Sequence, residues 1–155
     1  MAGSKRHGRH RRVREAPSAR YAAEPAPKEL NGVLYDSDVI IEILRGRREI
    51  GAAARAMEIA GVPTYTTAIS WAEIFAGLKP GEEGVTEAFF RARGEVILDA
   101  VVGRRAGGYL AKYGRSKGVQ IADALIASAA VNAGLRIWTL NRRHYPMPDL
   151  RFFEP

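Results

Sequence analysis

The sequence contains no cysteine and only three histidines among its 155 residues. The absence of cysteine excludes disulfide bonds, thiolate zinc sites and a cysteine nucleophile. Two of the histidines, His7 and His10, lie within the first ten residues, so a single imidazole remains for the rest of the chain. A zinc enzyme built on two or three converging histidines is therefore not expected.

Long apolar segments are also missing. No run of about 18 apolar residues is present, so the sequence predicts no membrane-spanning helix. The amino-terminal segment has no apolar core of the kind that a secretory signal requires. We therefore expect a cytoplasmic protein that does not contact a membrane.

Charge is distributed unevenly along the chain. The whole sequence has a net charge of +7, and residues 1–30 hold 8 basic and 3 acidic residues. This segment also contains three prolines and no periodic apolar face, so it cannot bury enough surface to offset its ordering entropy. We predict a disordered basic tail at 1–30 and one folded domain at 31–155. The tail is interpreted either as a solvated segment without a specific role, which we favour, or as an arm that binds polyphosphates non-specifically.

The folded part alternates short apolar strands with helices. Glycine, proline and β-branched residues divide it into predicted segments, with strands at 33–35, 62–66, 95–98, 135–139 and 150–153 and helices at 39–44, 49–60, 69–78, 85–93, 100–113 and 121–133. Such alternation predicts a three-layer α/β/α domain with a mostly parallel sheet. Ligand sites in these sheets lie beyond the carboxyl ends of the strands, where the strand order reverses.

Two carboxylates follow the first predicted strand directly, in the sequence Val33-Leu34-Tyr35-Asp36-Ser37-Asp38. Aspartate and serine are common helix N-caps, and one capping side chain is enough. Residues two apart do not share a face of a strand-to-helix turn. We expect Asp36 to point into a site, with Ser37 or Asp38 capping the helix or supporting Asp36.

Two further acids stand alone in apolar surroundings. Glu73 is the only charged residue from Ile59 to Leu78, and it either forms a capping box with Ser70 or, if the helix starts earlier, serves a site. Asp123 is the only charged residue from Gly118 to Leu135. A buried carboxylate without a partner is rare, so Asp123 favours a partner cation from outside the chain.

Asn141 follows the strand predicted at 135–139. Taken alone, it is typical of a turn. Taken with three acids that come from three separate junctions, it indicates an oxygen-rich site for a hard cation, either Mg²⁺ or Mn²⁺. Such an ion supplies bound water and offsets the charge on a phosphodiester.

Four segments, in this order and spacing, resemble the PIN domain family and more narrowly the VapC toxins of bacterial type II toxin–antitoxin systems. They are LYDSDVII at 34–41, ISWAEIFAG at 69–77, IADALIA at 121–127 and TLNRRHY at 139–145. Each motif alone is weak, and the four together cover the chain from about residue 32 to 155. The resemblance implies a metal-dependent endoribonuclease with a sheet of order 3-2-1-4-5, an RNA substrate, an antitoxin partner and a homodimer.

The resemblance also assigns expected roles. Asp36 and Asp123 match the metal-binding acids of the family, and Glu73 matches its motif acid, either as a third ligand or as the residue that orients the metal-bound water. Asn141 matches a position that is Asp in some PIN domains; it would position a metal-bound water, and being neutral it leaves the presence of a second metal open. Arg142, beside the site, is expected to contact a phosphate or to be an ordinary solvated arginine.

Two other interpretations remain open at this stage. Asp36-Ser37-Asp38-Val39 resembles the motif of haloacid-dehalogenase-like phosphatases, with Asp36 as nucleophile and Asp38 as acid/base. That family needs a later lysine and acidic pair, which the segment 139–145 lacks. The third interpretation is an inactive PIN-like module that binds RNA or protein through the same crevice.

Deletion of residues 1–30 tests the role of the basic tail. If the tail is an electrostatic arm, its removal weakens RNA binding at low salt and hardly at high salt, because its contacts release counterions. Cleavage of saturating RNA should be unchanged. Filter-binding affinities over a range of salt concentrations measure this, and equal affinities of the two chains at low salt would show that the tail has no such role.

Overall fold

The structure is a computed structural model that describes residues 31–155. The tail predicted at 1–30 lies outside the described residues, and its disorder stays a prediction. Five strands form one sheet: β1 (Val33–Tyr35), β2 (Thr64–Thr67), β3 (Gly94–Val96), β4 (Arg136–Trp138) and β5 (Arg151–Phe152).

Seven α-helices connect these strands. Their bounds are α1 (Ser37–Leu44), α2 (Arg48–Ile59), α3 (Ala68–Ala76), α4 (Glu83–Arg91), α5 (Ala100–Tyr109), α6 (Arg115–Lys117) and α7 (Ile121–Asn132). A π-helical turn, Leu110–Gly114, joins α5 to α6, and a 3-10 turn, Arg142–His144, follows β4. No helix within residues 31–155 is both long and apolar enough to cross a membrane.

The sheet has the order β3-β2-β1-β4-β5, and every pair of neighbouring strands is parallel. This confirms the expected order 3-2-1-4-5. The chain moves outward from β1 through β2 to β3, then returns to β4 on the other side of β1. The strand order therefore reverses between β1 and β4, and the loops that follow these two strands leave the sheet side by side.

Alternate residues of the central strands enter two separate cores, one on each face of the sheet. Leu34 and Ile137 pack into the core under α5 and α7. Val33, Tyr35 and Trp138 pack into the core under α1 to α4, where the Tyr35 and Trp138 rings meet edge to face at 5.1 Å. The two-residue period of a strand produces this division, and burial on both faces explains why β1 contains no polar residue.

Some boundaries differ from those expected from the sequence. Helix α1 begins at Ser37 rather than at 39, because Asp36 accepts a hydrogen bond from the Ser37 backbone N–H at its start. The helix expected at 100–113 continues through the π-helical turn to Lys117, and Gly118 ends it in the left-handed conformation at φ 71°. Glycines 107 and 108 lie inside α5, because Val102, Ala106 and Tyr109 provide its buried face.

Candidate active site

Asp36 lies at the point where the strand order reverses. It follows β1, its backbone N–H donates to Trp138 O at 2.9 Å, and its carboxylate accepts from Ser37 N at 2.8 Å. The residue is only 8% exposed. Burial, and then the charge of Asp38, raise the pKa of Asp36 to about 6, against the opposing effect of the Thr139 and Tyr145 hydroxyls.

Asp38 connects the start of α1 to the loop after β4. Its Oδ2 accepts from Leu140 N at 3.0 Å and from Thr139 Oγ1 at 3.3 Å, while its Oδ1 is buried without a hydrogen-bond partner among residues 31–155. Burial raises the pKa of Asp38. Asp38 thus supports the site, as expected, whereas the helix cap assigned to Ser37 or Asp38 is provided by Asp36 itself.

Glu73 is exposed on α3 and accepts a short hydrogen bond from the Ser37 hydroxyl through its Oε2. Because α3 begins at Ala68 with Thr67 as its N-cap, Ser70 lies inside the helix and forms no capping box with Glu73. The interpretation of Glu73 as a capping residue is therefore wrong. Its contact with Ser37 places it next to Asp36.

Asp123 lies in the first turn of α7, with its side chain 16% exposed. Its Oδ2 accepts from Gln120 N at 3.0 Å and closes a capping box with Gln120. A capping box is therefore present at the start of α7, and none is present at Ser70 and Glu73. The second oxygen of Asp123, Oδ1, lies 3.7 Å from His144 Nδ1, and a partner cation from outside the chain stays a prediction for Asp123.

Asn141 and His144 lie together beside Asp123. Thr139 Oγ1 accepts from Asn141 N at 3.0 Å, so the hydroxyl that binds Asp38 also fixes the start of the 3-10 turn. The Asn141 amide lies 3.2 Å from His144 Nε2 and 3.4 Å from Nδ1. Asn141 therefore does more than form a turn, because its side-chain amide contacts the His144 ring, which lies beside Asp123.

The Tyr145 hydroxyl is surrounded by three of the carboxylates. The residue is 3% exposed, and its hydroxyl lies close enough to the Asp36 carboxylate to lower the pKa of Asp36, while that carboxylate raises the pKa of Tyr145. Burial raises the pKa of Tyr145, and the negative charges of Asp36, Asp123 and Asp38 raise it further. A single buried hydroxyl therefore lies near all three acids, which come from α1 and α7.

Arg142 is held away from these acids. Its Nη2 is 2.8 Å from Glu154 Oε1, and its guanidinium lies 4.8 Å from the Phe152 ring centre. Both contacts are on the carboxy-terminal segment. A role in phosphate binding stays a prediction for Arg142, and it would require the residue to leave Glu154.

The cluster fits a divalent cation in its chemistry. Across residues 31–155, no Lys or Arg forms an ion pair with Asp36, Asp38, Glu73 or Asp123; the only ion pair to any of them is that of His144 with Asp123. Asp38 Oδ1 is buried and makes no hydrogen bond to residues 31–155. In the same residues no group of three ligating side chains is placed to hold a metal ion.

Sequence reasoning overlooked three residues of this cluster: Thr139, His144 and Tyr145. All three lie in the segment 139–145 that already contained Asn141. His144 is the only histidine from 31 to 155, and its place five residues after the end of the strand expected at 135–139 was the available signal. Tyr145 and Thr139 carried no such signal, because only the packing of the loop turns their hydroxyls toward the acids.

Comparison with known proteins identifies the class of protein. The PIN domain family profile matches residues 33–150. The chain belongs to the PIN domain family. Its relatives include Ribonuclease VapC19 of Mycobacterium tuberculosis, which is 33% identical over 123 residues that make up 76% of this chain and 96% of the relative. Ribonuclease VapC10 of the same organism is 32% identical over 119 residues, or 74% of this chain and 86% of the relative.

Solved structures share the fold. VapBC from Salmonella typhimurium, solved with bound DNA, superposes with a TM-score of 0.68 at 20% identity and covers 80% of this chain and 98% of its own. A toxin–antitoxin complex from Klebsiella pneumoniae superposes with a TM-score of 0.64 at 21% identity, over 77% of this chain and 95% of its own. The three-layer fold expected from the sequence is thereby confirmed.

Replacement Asp36→Asn should stabilise the metal-free protein at pH 7 by about 1–3 kcal/mol. The folded-state pKa is raised from 3.8 to about 6, so ionisation of Asp36 opposes folding. The wild type should therefore lose stability relative to the variant as pH rises from about 4 to 6, with no further change above that range. Chemical denaturation in chelator at several pH values measures this effect.

The control is Asp149→Asn, which changes an acid that pairs with Arg105 at 3.2 Å outside the cluster. Its pH dependence between pH 4 and 6 should follow that of the wild type. Parallel curves for wild type and Asp36→Asn over the same range would contradict the assigned burial cost.

Proposed function

We propose that this protein is a metal-dependent endoribonuclease and the toxin of a toxin–antitoxin pair. The observation that carries the proposal is the cluster of acids at the reversal of strand order, with buried Asp36 at its centre and no Lys or Arg paired with it in residues 31–155. Relatives that match three quarters of the chain are named ribonucleases, which supports RNA as the substrate.

Asp36 and Asp123 would hold the cation, which we propose to be Mg²⁺ or Mn²⁺. Their carboxylates are the donors that these hard ions prefer. When bound, the ion supplies an activated water and offsets negative charge on the scissile phosphodiester. A net excess of carboxylates without a cation destabilises the folded protein, so binding of the ion also stabilises the fold.

The other residues of the cluster orient these two acids and the substrate. Ser37 donates to Glu73 at the start of α1, and Glu73 is proposed either as a third ligand of the cation or as the residue that would orient its bound water. The Thr139 hydroxyl donates to Asp38 Oδ2 and also accepts from the Asn141 backbone N–H, so it holds both residues in position. Asn141 and Arg142 are proposed to face the substrate side, Asn141 to position water and Arg142 to contact a phosphate after it leaves Glu154.

A phosphatase of the haloacid-dehalogenase type is not supported. Asp38, which would have to act as acid/base, accepts hydrogen bonds from Leu140 N and Thr139 Oγ1, and the PIN domain family matches residues 33–150. An inactive PIN-like binding module has the same fold, and RNA cleavage separates it from the proposed enzyme.

We also propose a cytoplasmic homodimer that is inhibited by an antitoxin. Two of the solved structures with a similar fold are a VapBC complex and a toxin–antitoxin complex. A groove of about 400 Å³ opens beside Glu73, between the carboxyl ends of α1 and α3 and the start of α4. Its apolar lining includes Ile41, Leu44 and Leu78, which suits an amphipathic antitoxin segment.

Cleavage of RNA by the purified protein should require a divalent cation and the two proposed ligands. Asp36→Asn and Asp123→Asn should each reduce the cleavage rate by about 100-fold or more, because charge stabilisation at a reacting phosphate is worth at least that much. Gel analysis of a labelled RNA, with Mg²⁺ or Mn²⁺ and with chelator, measures the rate.

Asp149→Asn provides a matched control, since it removes an acid outside the cluster, and it should cleave RNA at the wild-type rate. Full activity in either cluster variant, or cleavage that persists in chelator, would refute the assigned site. Absence of cleavage by the wild type with every cation tested would favour the binding module.

Binding of the antitoxin should depend on the groove beside Glu73. Val85, which lines the groove, is 69% exposed, and Val85→Glu should weaken binding of the antitoxin by about tenfold, because it places a charge against an apolar partner. RNA cleavage should be unchanged. Ile59→Glu is the control, since Ile59 is 78% exposed on α2 outside the groove. Equal affinities of the two variants would place the antitoxin elsewhere.

A further inference from the structure

The segment between Asp99 and Asp123 carries charge of one sign only. It contains five basic residues and no acidic residue, and it forms α5, the π-helical turn and α6. Three of the five basic residues follow one another closely, and all three are exposed: Lys112, Arg115 and Lys117. We call these three residues the basic strip.

The basic strip has no acidic partner within the described part of the chain. Elsewhere on the surface, basic side chains pair with neighbouring acids, as Arg91 does with Glu87 at 2.9 Å. None of the three strip residues forms an ion pair with an acid of residues 31–155, and the Lys112 ammonium lies 5.2 Å from the Tyr113 ring centre. Like charges on neighbouring positions of a helix repel, so the strip favours an anionic partner from outside.

The helix dipole explains part of this pattern. Arg115 and Lys117 lie in the last turn of α6, where cations interact favourably with the dipole. Lys112 lies earlier, in the π-helical turn Leu110–Gly114, and the effect of the dipole falls off within the last turn. Such π-helical turns are rare and are frequently found at functional sites. The dipole therefore does not account for the whole strip.

The basic strip ends close to the acidic cluster. Three residues, 118–120, connect Lys117 to the start of α7, which contains Asp123. Six residues of fully extended chain reach at most about 22 Å, which sets an upper limit on the distance between the Lys117 and Asp123 Cα atoms. Helices α5 and α7 pack in the same core, so the tertiary structure fixes the strip beside the cluster.

An RNA strand needs a cationic surface at this place. The carboxylates of the cluster repel the phosphates on either side of the one that is cleaved. Arg142, which was expected to contact a phosphate, is paired with Glu154 at 2.8 Å. Contacts from Lys and Arg to phosphates position a nucleic acid without reading its sequence. The strip offers three such side chains next to the acids.

We propose that the basic strip, Lys112, Arg115 and Lys117, binds the phosphate backbone of the RNA strand next to the scissile phosphodiester. The proposal rests on the ribonuclease function proposed above and adds the surface along which the substrate lies. Because the contacts are made to phosphates, the strip strengthens binding of RNA of any sequence, and its contribution decreases as salt is added.

The triple variant Lys112→Gln/Arg115→Gln/Lys117→Gln tests the proposal in the full-length protein. Fluorescence anisotropy of a labelled single-stranded RNA, in chelator to prevent cleavage, should show the Kd raised at least tenfold at about 50 mM salt. The slope of log K against log salt concentration should become shallower by about 2, because each phosphate contact with a single strand contributes about 0.7.

The matched control is Arg48→Gln/Arg55→Gln/Arg136→Gln. It removes the same charge from exposed positions on α2 and at the start of β4, away from the carboxyl ends of the strands. Its Kd for the same RNA should stay within threefold of the wild-type value.

Acetylation of lysines in the wild type provides a second measurement that does not depend on a variant. Residues 31–155 contain three lysines: Lys79, Lys112 and Lys117. Bound RNA should protect Lys112 and Lys117 from acetylation. Lys79, which is exposed and lines the groove beside Glu73, should stay reactive. Protection of Lys79 without protection of the two strip lysines would contradict the proposal.

The outcomes separate the basic strip from the proposed function. Wild-type affinity and salt slope in the triple variant, when the wild type cleaves RNA, would overturn the role of the strip and leave the nuclease intact. Equal losses in the triple variant and its control would overturn it as well, because they would show an effect of net charge alone. Unchanged RNA affinity with weaker antitoxin binding would overturn it in favour of a protein-binding surface. A wild type that neither binds nor cleaves RNA would overturn both proposals.

Discussion

The candidate site depends on the parallel pairing of β1 with β4 at the centre of the sheet. Asp36 N donates to Trp138 O at 2.9 Å. Two residues further along both segments, Asp38 Oδ2 accepts from Leu140 N. These two contacts join the segment after β1 to the segment after β4, although about 100 residues separate them in sequence. Without them, Asp36 and Asn141 would lie on unconnected loops.

The cost of this arrangement is electrostatic. Asp36 is buried beside the half-buried Asp38, neither has a paired Lys or Arg within residues 31–155, and both have a raised pKa. The nearby hydroxyls of Thr139 and Tyr145 oppose the shift only in part. Such a cluster is tolerated where its charge is needed, as at sites that hold a cation or shift protons. The fold elsewhere supplies the stability, through two apolar cores on opposite faces of the sheet.

Much of the site could be predicted from local pattern. Glu73 and Asp123 were selected because each interrupts an apolar segment, and Asp36 and Asn141 were selected because each follows the end of a strand. Of the two alternatives left open for Glu73, the capping box is wrong, and a capping box that the sequence did not indicate is formed by Asp123. Both acids sit at a spacing that fits a cap, and the helix start that decides between them is set by packing against the sheet rather than by the sequence of the first turn.

The order of apolar and polar residues by itself determined the alternation of strands and helices. This alternation in turn determined the three layers and the edge of the sheet at which ligand sites lie. Only the tertiary structure decided which side chains of the segment 139–145 face the acids. It directs His144 to Asp123 and Tyr145 toward Asp36, and it turns Arg142 toward Glu154. The physical reason is that a 3-10 turn sends successive side chains in different directions, and the contacts that fix those directions come from strands distant in sequence.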